Sequence, residues 1–172
     1  MDNKTYDVII AGGGPAGYTA AMYAARSGYT VAVVEQMSAG GQMATTETVE
    51  NYPGFDDGID GFELGERMQR GAERFGAVTV YAEIKSLNLK ASPKTVETTA
   101  GELNAKAVVI ATGAKPRLLG VEGERELTGK GVAYCAVCDG GFYKNGVTAV
   151  VGGGDSALQE ALLLSDICQT VY

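Results

Sequence analysis

Short apolar runs bounded by glycines recur along the chain and predict the strands of an α/β fold. Residues 6–11, 30–35 and 106–111 are each rich in valine, isoleucine and alanine, which is typical of strands buried on both faces of a parallel sheet. Between the first two runs, residues 14–28 carry a proline near the start, alanines in the body and a glycine at the end. That pattern predicts a helix, so the first two runs and this helix form a complete βαβ unit.

The middle of the chain changes its pattern twice. Residues 36–55 are polar and long enough to be a functional loop without regular structure. Residues 60–75 then predict an amphipathic helix. The expected inner face of that helix consists of Phe62, Leu64, Met68, Ala72 and Phe75. Residues 77–105 alternate between apolar and polar positions, which predicts strands at 78–81, 84–90 and 95–99 forming a small antiparallel excursion.

The last third of the chain predicts a second βαβ unit that is entered but not finished. Residues 118–131 are charged and irregular, which is typical of a solvated surface. A strand is predicted at 147–151, a helix at 156–164 and a turn at 166–169, and a new strand begins at 170–172. Cys168 lies beside this last strand, and its interpretation is an ordinary buried thiol. Pro116 marks the expected domain boundary, which gives domains 1–114 and 115–172.

Composition excludes several classes of function. The 172 residues carry a net charge of −7 with no cluster of lysine and arginine, so a nucleic-acid partner has no electrostatic basis. No apolar run approaches the length of a membrane span, and the start Met1-Asp2-Asn3-Lys4 contains no apolar signal segment. Three cysteines, two of them close together, suit a reducing compartment, so we expect a cytoplasmic protein without a membrane partner.

Two glycine-rich loops carry the first candidate chemistry. Gly12, Gly14 and Gly17 form a G-x-G-x-x-G pattern between the first strand and its helix, and Glu35 follows 23 residues after Gly12. Such glycines let the backbone approach a pyrophosphate at a helix N-terminus, and an acid at that distance can bind ribose hydroxyls. The alternative is a merely structural glycine turn. A similar loop begins at Gly152, so the chain predicts two dinucleotide sites.

A pair of cysteines lies between the two glycine loops. Cys135 and Cys138 are separated by two residues, so they can close a small disulfide, and one thiol of such pairs has a lowered pKa. A dithiol between two dinucleotide sites is interpreted as an electron path. The alternative is half of a zinc site, but zinc takes four ligands and the sequence offers no histidine and only Cys168 besides. Asp139 can supply the protons that disulfide reduction consumes; capping the adjoining helix is a compatible alternative.

The ordered set of motifs resembles the bacterial-type (low molecular weight) thioredoxin reductases, a family of flavoprotein disulfide reductases. The resemblance covers nearly the whole chain through VIIAGGGPAGYTAAMYAARSG, Glu35, GGQM, VENYPGF, AVVIATGA, CAVCDG and VVGGGDSALQEA. One departure is Val137, which stands where threonine is more usual. The resemblance implies a Rossmann-like FAD-binding domain over 1–114, followed over 115–172 by the start of a Rossmann-like NAD(P)-binding domain that carries the CxxC pair.

The resemblance also implies roles for individual residues. Cys138 would be the thiol near the flavin, Cys135 the thiol that attacks thioredoxin, and Asp139 the proton donor and acceptor. The residues expected to bind FAD are Gly12, Gly13, Gly14, Pro15, Ala16, Glu35, Gly41, Gln42, Thr45, Asn51, Thr112 and Gly113, with Glu83 and Ile84 at the adenine. Those expected to bind NADPH are Gly152, Gly153, Gly154, Asp155, Ser156 and Ala157. No metal is expected.

Several alternatives stay open at this point. The donor or the acceptor could differ, as in a peroxiredoxin-type reductase module, a ferredoxin-dependent reductase or a dithiol oxidase, or the chain could be a non-catalytic nucleotide-binding module. NADPH and NADH are not distinguished, because the ribose-reading acid of the second unit would fall beyond Tyr172. We expect residues 1–172 to be a fragment of a longer, active and homodimeric protein. By themselves they should bind FAD weakly.

Overall fold

The computed structural model describes residues 5–172 and divides into two compact units between Ala114 and Lys115. The start of the chain, where the sequence shows no signal segment, lies outside the described residues. Each unit is presented by itself below. The predicted α/β fold with a mainly parallel sheet is confirmed.

The first unit is built on a six-stranded sheet. Its strands are β1 (Thr5–Ala11), β2 (Val31–Glu35), β3 (Val78–Tyr81), β4 (Ile84–Asn88), β5 (Lys94–Thr98) and β6 (Gly101–Ile110). They follow the order β3-β2-β1-β6-β5-β4. The four strands β3, β2, β1 and β6 are parallel to one another, so the carboxyl ends of β1, β2 and β6 meet at one edge of the sheet. This edge carries the first glycine loop.

Two predictions about these strands were wrong. We expected residues 78–81 to belong to the antiparallel excursion, but β3 pairs in parallel with β2, with Glu35 opposite Tyr81. The antiparallel part comprises β4, β5 and the first half of β6. Residues 106–111 were expected to be buried, yet Ile110 at the end of β6 is 54% exposed. Its backbone is paired with β1, whereas its side chain is left largely uncovered in this unit.

Two helices cover one face of the sheet, α1 (Pro15–Arg26) and α2 (Gly61–Glu73). Ile10 packs on that face with Tyr18 of α1 and Ala72 of α2. The neighbouring Ile9 belongs to the cluster on the opposite face, which also contains Val96 of β5. Successive residues of β1 are thus buried on opposite sides, as expected for a central strand.

The predicted inner face of α2 was partly wrong. Leu64 and Ala72 are buried and Met68 packs against the core, but Phe62 is 46% exposed and Phe75, just after the helix, is 37% exposed. Asp60 caps the helix by accepting a hydrogen bond from the Glu63 N–H. The long loop before it was expected to lack regular structure, but it contains a 3-10 helix at Gly41–Thr45.

The second unit contains α3 (Ala136–Asp139), a 3-10 helix (Gly140–Tyr143), β7 (Val147–Thr148), α4 (Asp155–Ile167) and β8 (Thr170–Val171). β7 and β8 pair in parallel on either side of α4 in the chain, as expected for the predicted start of a second βαβ unit. β7 is shorter than predicted, although Val150 N–H still donates to the Tyr172 carbonyl. The helix runs further than predicted, which replaces the expected turn, and Cys168 is half-buried rather than buried.

Within the described part of the chain, none of the helices combines the length and the apolar character needed to cross a membrane.

Candidate functional site

The first glycine loop is shaped by close backbone contacts. Gly12 has a φ of 105°, in the left-handed region that favours glycine, and a Cβ there would overlap the Ala111 carbonyl. A Cβ on Gly17 would overlap the Gly12 carbonyl oxygen, so glycine is required where α1 packs on the loop. Gly14 is different, because a Cβ on it would meet open space. The loop therefore has no room for a side chain at Gly12 or Gly17, whereas it has room at Gly14.

The start of α1 is available to a ligand. Gly14 is its N-cap, with φ −80° and ψ −175°, and Pro15 occupies the first turn. Among residues 5–172, no side chain accepts a hydrogen bond from this end of the helix. The first-turn N–H groups, including those of Ala16 and Gly17, have no acceptor inside the helix and carry the positive end of its dipole. An anion could be bound here.

Glu35 lies at the carboxyl end of β2, beside this loop. Its Oε2 accepts a hydrogen bond of 2.8 Å from the Gly13 N–H, and its Oε1 accepts one of 3.0 Å from the Met37 N–H. A Cβ on Gly13 would lie 3.0 Å from the Glu35 side chain. The glycine pattern and the acid, which are well separated in the sequence, are thus in direct contact in the structure.

Two other predicted segments meet the same loop. The Gly40 N–H donates to the Gly13 carbonyl at 2.9 Å, and a Cβ on Gly41 would lie 3.4 Å from the Gly14 Cα. Gln42 donates from its Nε2 to the Ala114 carbonyl. Thr112 lies next to Gly12, since its Cα would be 3.1 Å from a Cβ on Gly12. The structure therefore brings Gly40, Gly41 and Thr112 next to the first glycine loop.

The remaining predicted residues of this unit lie further along the edge or apart from it. Thr45 ends the 3-10 helix, where its hydroxyl donates to the Gln42 carbonyl. Asn51 is in an exposed shallow depression lined by residues 50–56, and no hydrogen bond of the described chain joins it to the glycine loop. The Glu83 N–H donates to the Thr99 hydroxyl and its carbonyl accepts from the Thr99 N–H. Both Glu83 backbone groups are thus engaged, and Ile84 pairs with Thr98.

Gly113 completes the set, with a φ of 67° just after the end of β6. Its side is open, because a Cβ there would meet no atom within 4 Å. A left-handed conformation here requires glycine or a residue that tolerates it. The chain therefore turns at this point and leaves open space beside Gly113 itself.

The second loop repeats the backbone of the first. Gly152 has a positive φ of 149°, and Gly154 caps α4 with φ −93° and ψ 175°, close to the values of Gly14. A Cβ on Gly153 or Gly154 would meet open space. The third glycine of the pattern is replaced by Ala157, whose Cβ would lie 3.0 Å from one on Gly152. Asp155 and Ser156 form the exposed first turn of α4.

Cys135 and Cys138 form a disulfide at the start of α3, with their Cα atoms 5.3 Å apart. Cys135 is the N-cap, and its Sγ accepts a hydrogen bond of 3.2 Å from the Cys138 N–H. Cys138 and Val137 are exposed, whereas Cys135 is half-buried and Ala136 is 6% exposed. The same N–H would stabilise a thiolate on Cys135 after reduction.

Asp139 ends α3, next to Cys138. Burial, reinforced by the negative charge of Glu160 on α4, raises the pKa of Asp139 above its usual value. Glu160 also accepts a hydrogen bond of 2.8 Å from the Ala136 N–H, between the two cysteines. A carboxyl group that keeps its proton to higher pH is suited to general acid–base chemistry.

The family model described as pyridine nucleotide-disulphide oxidoreductase matches residues 6–172, which is nearly the whole chain. The chain belongs to this family. Both glycine loops and the disulfide lie within the matched range.

Relatives in the family carry consistent names. A thioredoxin reductase of Listeria innocua is 50% identical over 164 residues, covering 95% of this chain and 51% of that protein. A bifunctional thioredoxin reductase/thioredoxin of Mycobacterium leprae is 48% identical over 167 residues, covering 96% of this chain and 36% of that protein. The crystal structure of thioredoxin reductase from Streptococcus pyogenes matches with a TM-score of 0.90 and 48% identity, covering 99% of this chain and 55% of that one. The chain spans about half the length of the Listeria relative.

Two acidic residues of this family member were missed by the sequence analysis. Glu160 was one residue of a predicted helix. Glu124 was assigned to a solvated surface, yet it is 5% exposed and accepts hydrogen bonds from the N–H groups of Leu119 and Gly120 and from the Tyr134 hydroxyl. The Leu119 N–H, ahead of the other donors, lowers the pKa of Glu124. Glu124 thereby fixes the turn that leads through Tyr134 to Cys135.

The zinc alternative finds no ligand set in the structure. Across residues 5–172, no group of three or more histidine, cysteine or acidic side chains is arranged to hold a metal ion. Cys168 donates instead to the Tyr143 carbonyl at 3.4 Å.

Proposed function

We propose that the protein carrying this chain is an NADPH-dependent thioredoxin reductase that uses FAD and the Cys135–Cys138 pair. The observation that carries the proposal is the disulfide between Cys135 and Cys138, with Asp139 beside it, in a chain with two similarly built glycine loops. The names of the relatives support the choice of reaction. The sequence alternatives with another donor or acceptor gain no support from a specific observation.

The residues of the first loop fit FAD. The open space at Gly14 and the uncapped start of α1 offer room and N–H donors for a pyrophosphate. Gly12, Gly13, Gly14, Pro15 and Ala16 would hold that group. Gly41, Gln42, Thr45, Asn51, Thr112 and Gly113 would bind along the flavin side, and Glu83 and Ile84 would meet the adenine. The Glu83 backbone N–H and carbonyl are also bonded to Thr99.

Glu35 would bind the ribose without releasing the loop. Each carboxylate oxygen offers two acceptor positions, and the Gly13 and Met37 N–H groups use one on each oxygen. The second position on each remains for a ribose hydroxyl. Glu35 would then hold the nucleotide and the loop together.

The second loop fits a further dinucleotide on the same grounds, and we assign it to NADPH. Gly153 and Gly154 leave open space in front of α4, so Gly152, Gly153, Gly154, Asp155, Ser156 and Ala157 would bind the pyrophosphate side. Asp155 adds a negative charge to this helix start. Backbone N–H groups, rather than that side chain, would therefore meet the phosphates.

When bound, the two nucleotides supply the electron pair that reduces the Cys135–Cys138 disulfide. Two protons are needed to give two neutral thiols, and Asp139, whose pKa is raised, would hold one beside Cys138. Cys135 would act as the nucleophile toward thioredoxin, because the Cys138 N–H stabilises negative charge on its Sγ. Cys138 would then resolve the mixed disulfide and restore the intramolecular bond.

The partner is proposed on the same basis. The Mycobacterium leprae relative is named as a fusion of a thioredoxin reductase with a thioredoxin, which supports thioredoxin as the acceptor here. A homodimeric protein in the cytoplasm, a reducing compartment, completes the proposal.

The test is a stepwise anaerobic absorbance experiment on the full-length protein. NADPH should bleach the flavin absorbance near its visible maximum, and oxidised thioredoxin should then restore it. NADH, glutathione disulfide and a peroxiredoxin serve as alternative donor and acceptors. Restoration by another acceptor but not by thioredoxin would assign a different reductase, and absence of flavin would contradict the proposal altogether.

A further inference from the structure

Glu160 joins the dithiol segment to α4. Its Oε2 accepts a hydrogen bond of 2.8 Å from the N–H of Ala136, which lies between the two cysteines and is 6% exposed. Glu160 itself is half-buried. We propose that Glu160 is a positioning residue for the dithiol, holding the first turn of α3 on α4 next to Asp139. The use of the dithiol rests on the proposed function, whereas the contact does not.

The short helix α3 needs an external attachment. Four residues are too few for a helix to be stable alone. Within the segment, the disulfide, the Cys138 N–H to Cys135 Sγ bond and the Asp139 N–H to Cys135 carbonyl bond all link the segment to itself. The Ala136–Glu160 bond instead ties it to a helix of thirteen residues.

Packing next to Asp139 supports the same attachment. A Cβ on Gly140 would lie 3.3 Å from Leu164 and 3.4 Å from Ile167, so the segment lies closely against α4. Reduction of the disulfide removes the one covalent link across α3. The hydrogen bond to Glu160 and this apolar contact then still hold the segment on α4.

The charge of Glu160 has a second effect. The elements packed against α3 are the 3-10 helix with Tyr143 and the helix α4. Of the titratable groups that the structure describes on them, Glu160 is the one whose charge raises the Asp139 pKa, in addition to burial. Cys135 and Cys138 both precede Asp139 in the same segment and titrate only when reduced. A second negative charge close by favours the protonated form of Asp139.

Two substitutions separate position from charge. Glu160→Gln keeps an oxygen that can accept the Ala136 N–H but removes the negative charge. Glu160→Ala removes both. The matched control is Asp166→Asn, which removes one negative charge from an exposed position on the same helix.

The test uses the oxidised full-length protein without added NADPH or thioredoxin. Amide exchange of Ala136 should be faster by on the order of tenfold in Glu160→Ala, and close to wild type in Glu160→Gln and Asp166→Asn. The ¹³C titration midpoint of the Asp139 carboxyl, assigned with Asp139→Asn, should move to lower pH in Glu160→Gln and stay in place in Asp166→Asn.

Chemical reduction gives the functional readout. Dithiothreitol is oxidised to its cyclic disulfide while its two electrons and two protons reduce Cys135–Cys138 to two thiols. The pH profile of this rate, corrected for the ionisation of dithiothreitol, should shift to lower pH in Glu160→Gln but not in Asp166→Asn.

An unchanged Asp139 midpoint in Glu160→Gln, or Ala136 exchange in Glu160→Ala equal to that of Asp166→Asn, would overturn the inference. If Glu160→Ala does not fold, the Glu160→Gln titration decides alone. These measurements use neither nucleotide nor thioredoxin, so they do not depend on the proposed function. A wild-type protein that fails to reduce thioredoxin would count against the proposed function and not against this inference.

Discussion

The carboxylate of Glu35 accepts a hydrogen bond of 2.8 Å from the main-chain N–H of Gly13, 22 residues earlier in the chain. This contact links the end of β2 to the turn between β1 and α1. It fixes the loop in the conformation that leaves Gly14 open. The glycines and the acid of the dinucleotide pattern are therefore held together by a direct hydrogen bond.

Loss of this contact should weaken flavin binding. Glu35→Ala removes a charged acceptor that would hold both the loop and the ribose, and hydrogen bonds to charged groups are worth about 1.5–3 kcal/mol. The flavin dissociation constant of the full-length protein should rise by about 10- to 100-fold, measured by fluorescence titration. The control is Glu102→Ala, which removes an exposed acid near the start of β6. It should leave the affinity unchanged. Equal affinities of both variants would refute the role of Glu35.

A side chain on Gly14 should exclude flavin without unfolding the protein. The backbone at Gly14 has a negative φ and a Cβ there meets no atom within 4 Å, so Gly14→Val can fold. We expect its flavin content to fall by about tenfold or more, because the pyrophosphate needs that space. Gly71→Val, at an equally open position in α2, is the matched control. Normal flavin content in Gly14→Val would show that this loop is not the flavin site.

Much of the fold followed from local pattern. The runs at 6–11 and 30–35 are apolar at successive positions, since Ile9 and Ile10 are buried on opposite faces of the sheet. The parallel pairing of β3 did not follow, because four alternating residues carry no information about their partner strand. Helical periodicity also predicted too many residues for the inner face of α2, because Phe62 and Phe75 are exposed. Phe75 lies instead beside the guanidinium groups of Arg26 and Arg74, each 5.2 Å from its ring centre.

The candidate site was predictable only where its residues form a spaced motif. The glycines, Glu35 and the cysteine pair stand at distances that carry a chemical meaning. Glu160 meets Ala136 across 24 residues through the packing of α3 on α4, and no spacing in the sequence indicates that contact. Glu124 was missed for a related reason: a charged residue in an irregular segment is normally solvated, and only the fold brings three donors to it.

The buried carboxylate of Glu124 should make the second unit sensitive to acid. Its pKa is lowered in the folded state, so its contribution is present above the unfolded pKa and is lost as pH falls through the folded one. At pH 7, Glu124→Gln should have a lower Tm than wild type, and the difference should shrink below about pH 4. Circular dichroism melts at several pH values measure this. Glu126→Gln, exposed in the same turn, should behave like wild type throughout.

The two cysteines should differ in what they trap. In Cys138→Ser, the Cys135 thiolate attacks the thioredoxin disulfide and expels one of its thiols, but the Cys138 thiol that would resolve the mixed disulfide is gone. A stable covalent complex should accumulate on non-reducing gels. Cys135→Ser should form none and abolish thioredoxin reduction, while NADPH still bleaches its flavin. Trapping in the reverse order would assign the opposite roles.

The central claim is that electrons from NADPH reach the Cys135–Cys138 disulfide through a bound flavin. An anaerobic titration of the flavin-loaded full-length protein with NADPH, with thiols counted at each point, tests it directly. Wild-type protein should take up about two equivalents of NADPH per flavin, one for the flavin and one for the disulfide, each a two-electron couple. The Cys135→Ser/Cys138→Ser double variant should take up about one. Wild-type protein that stops at one equivalent with its disulfide intact would contradict the account.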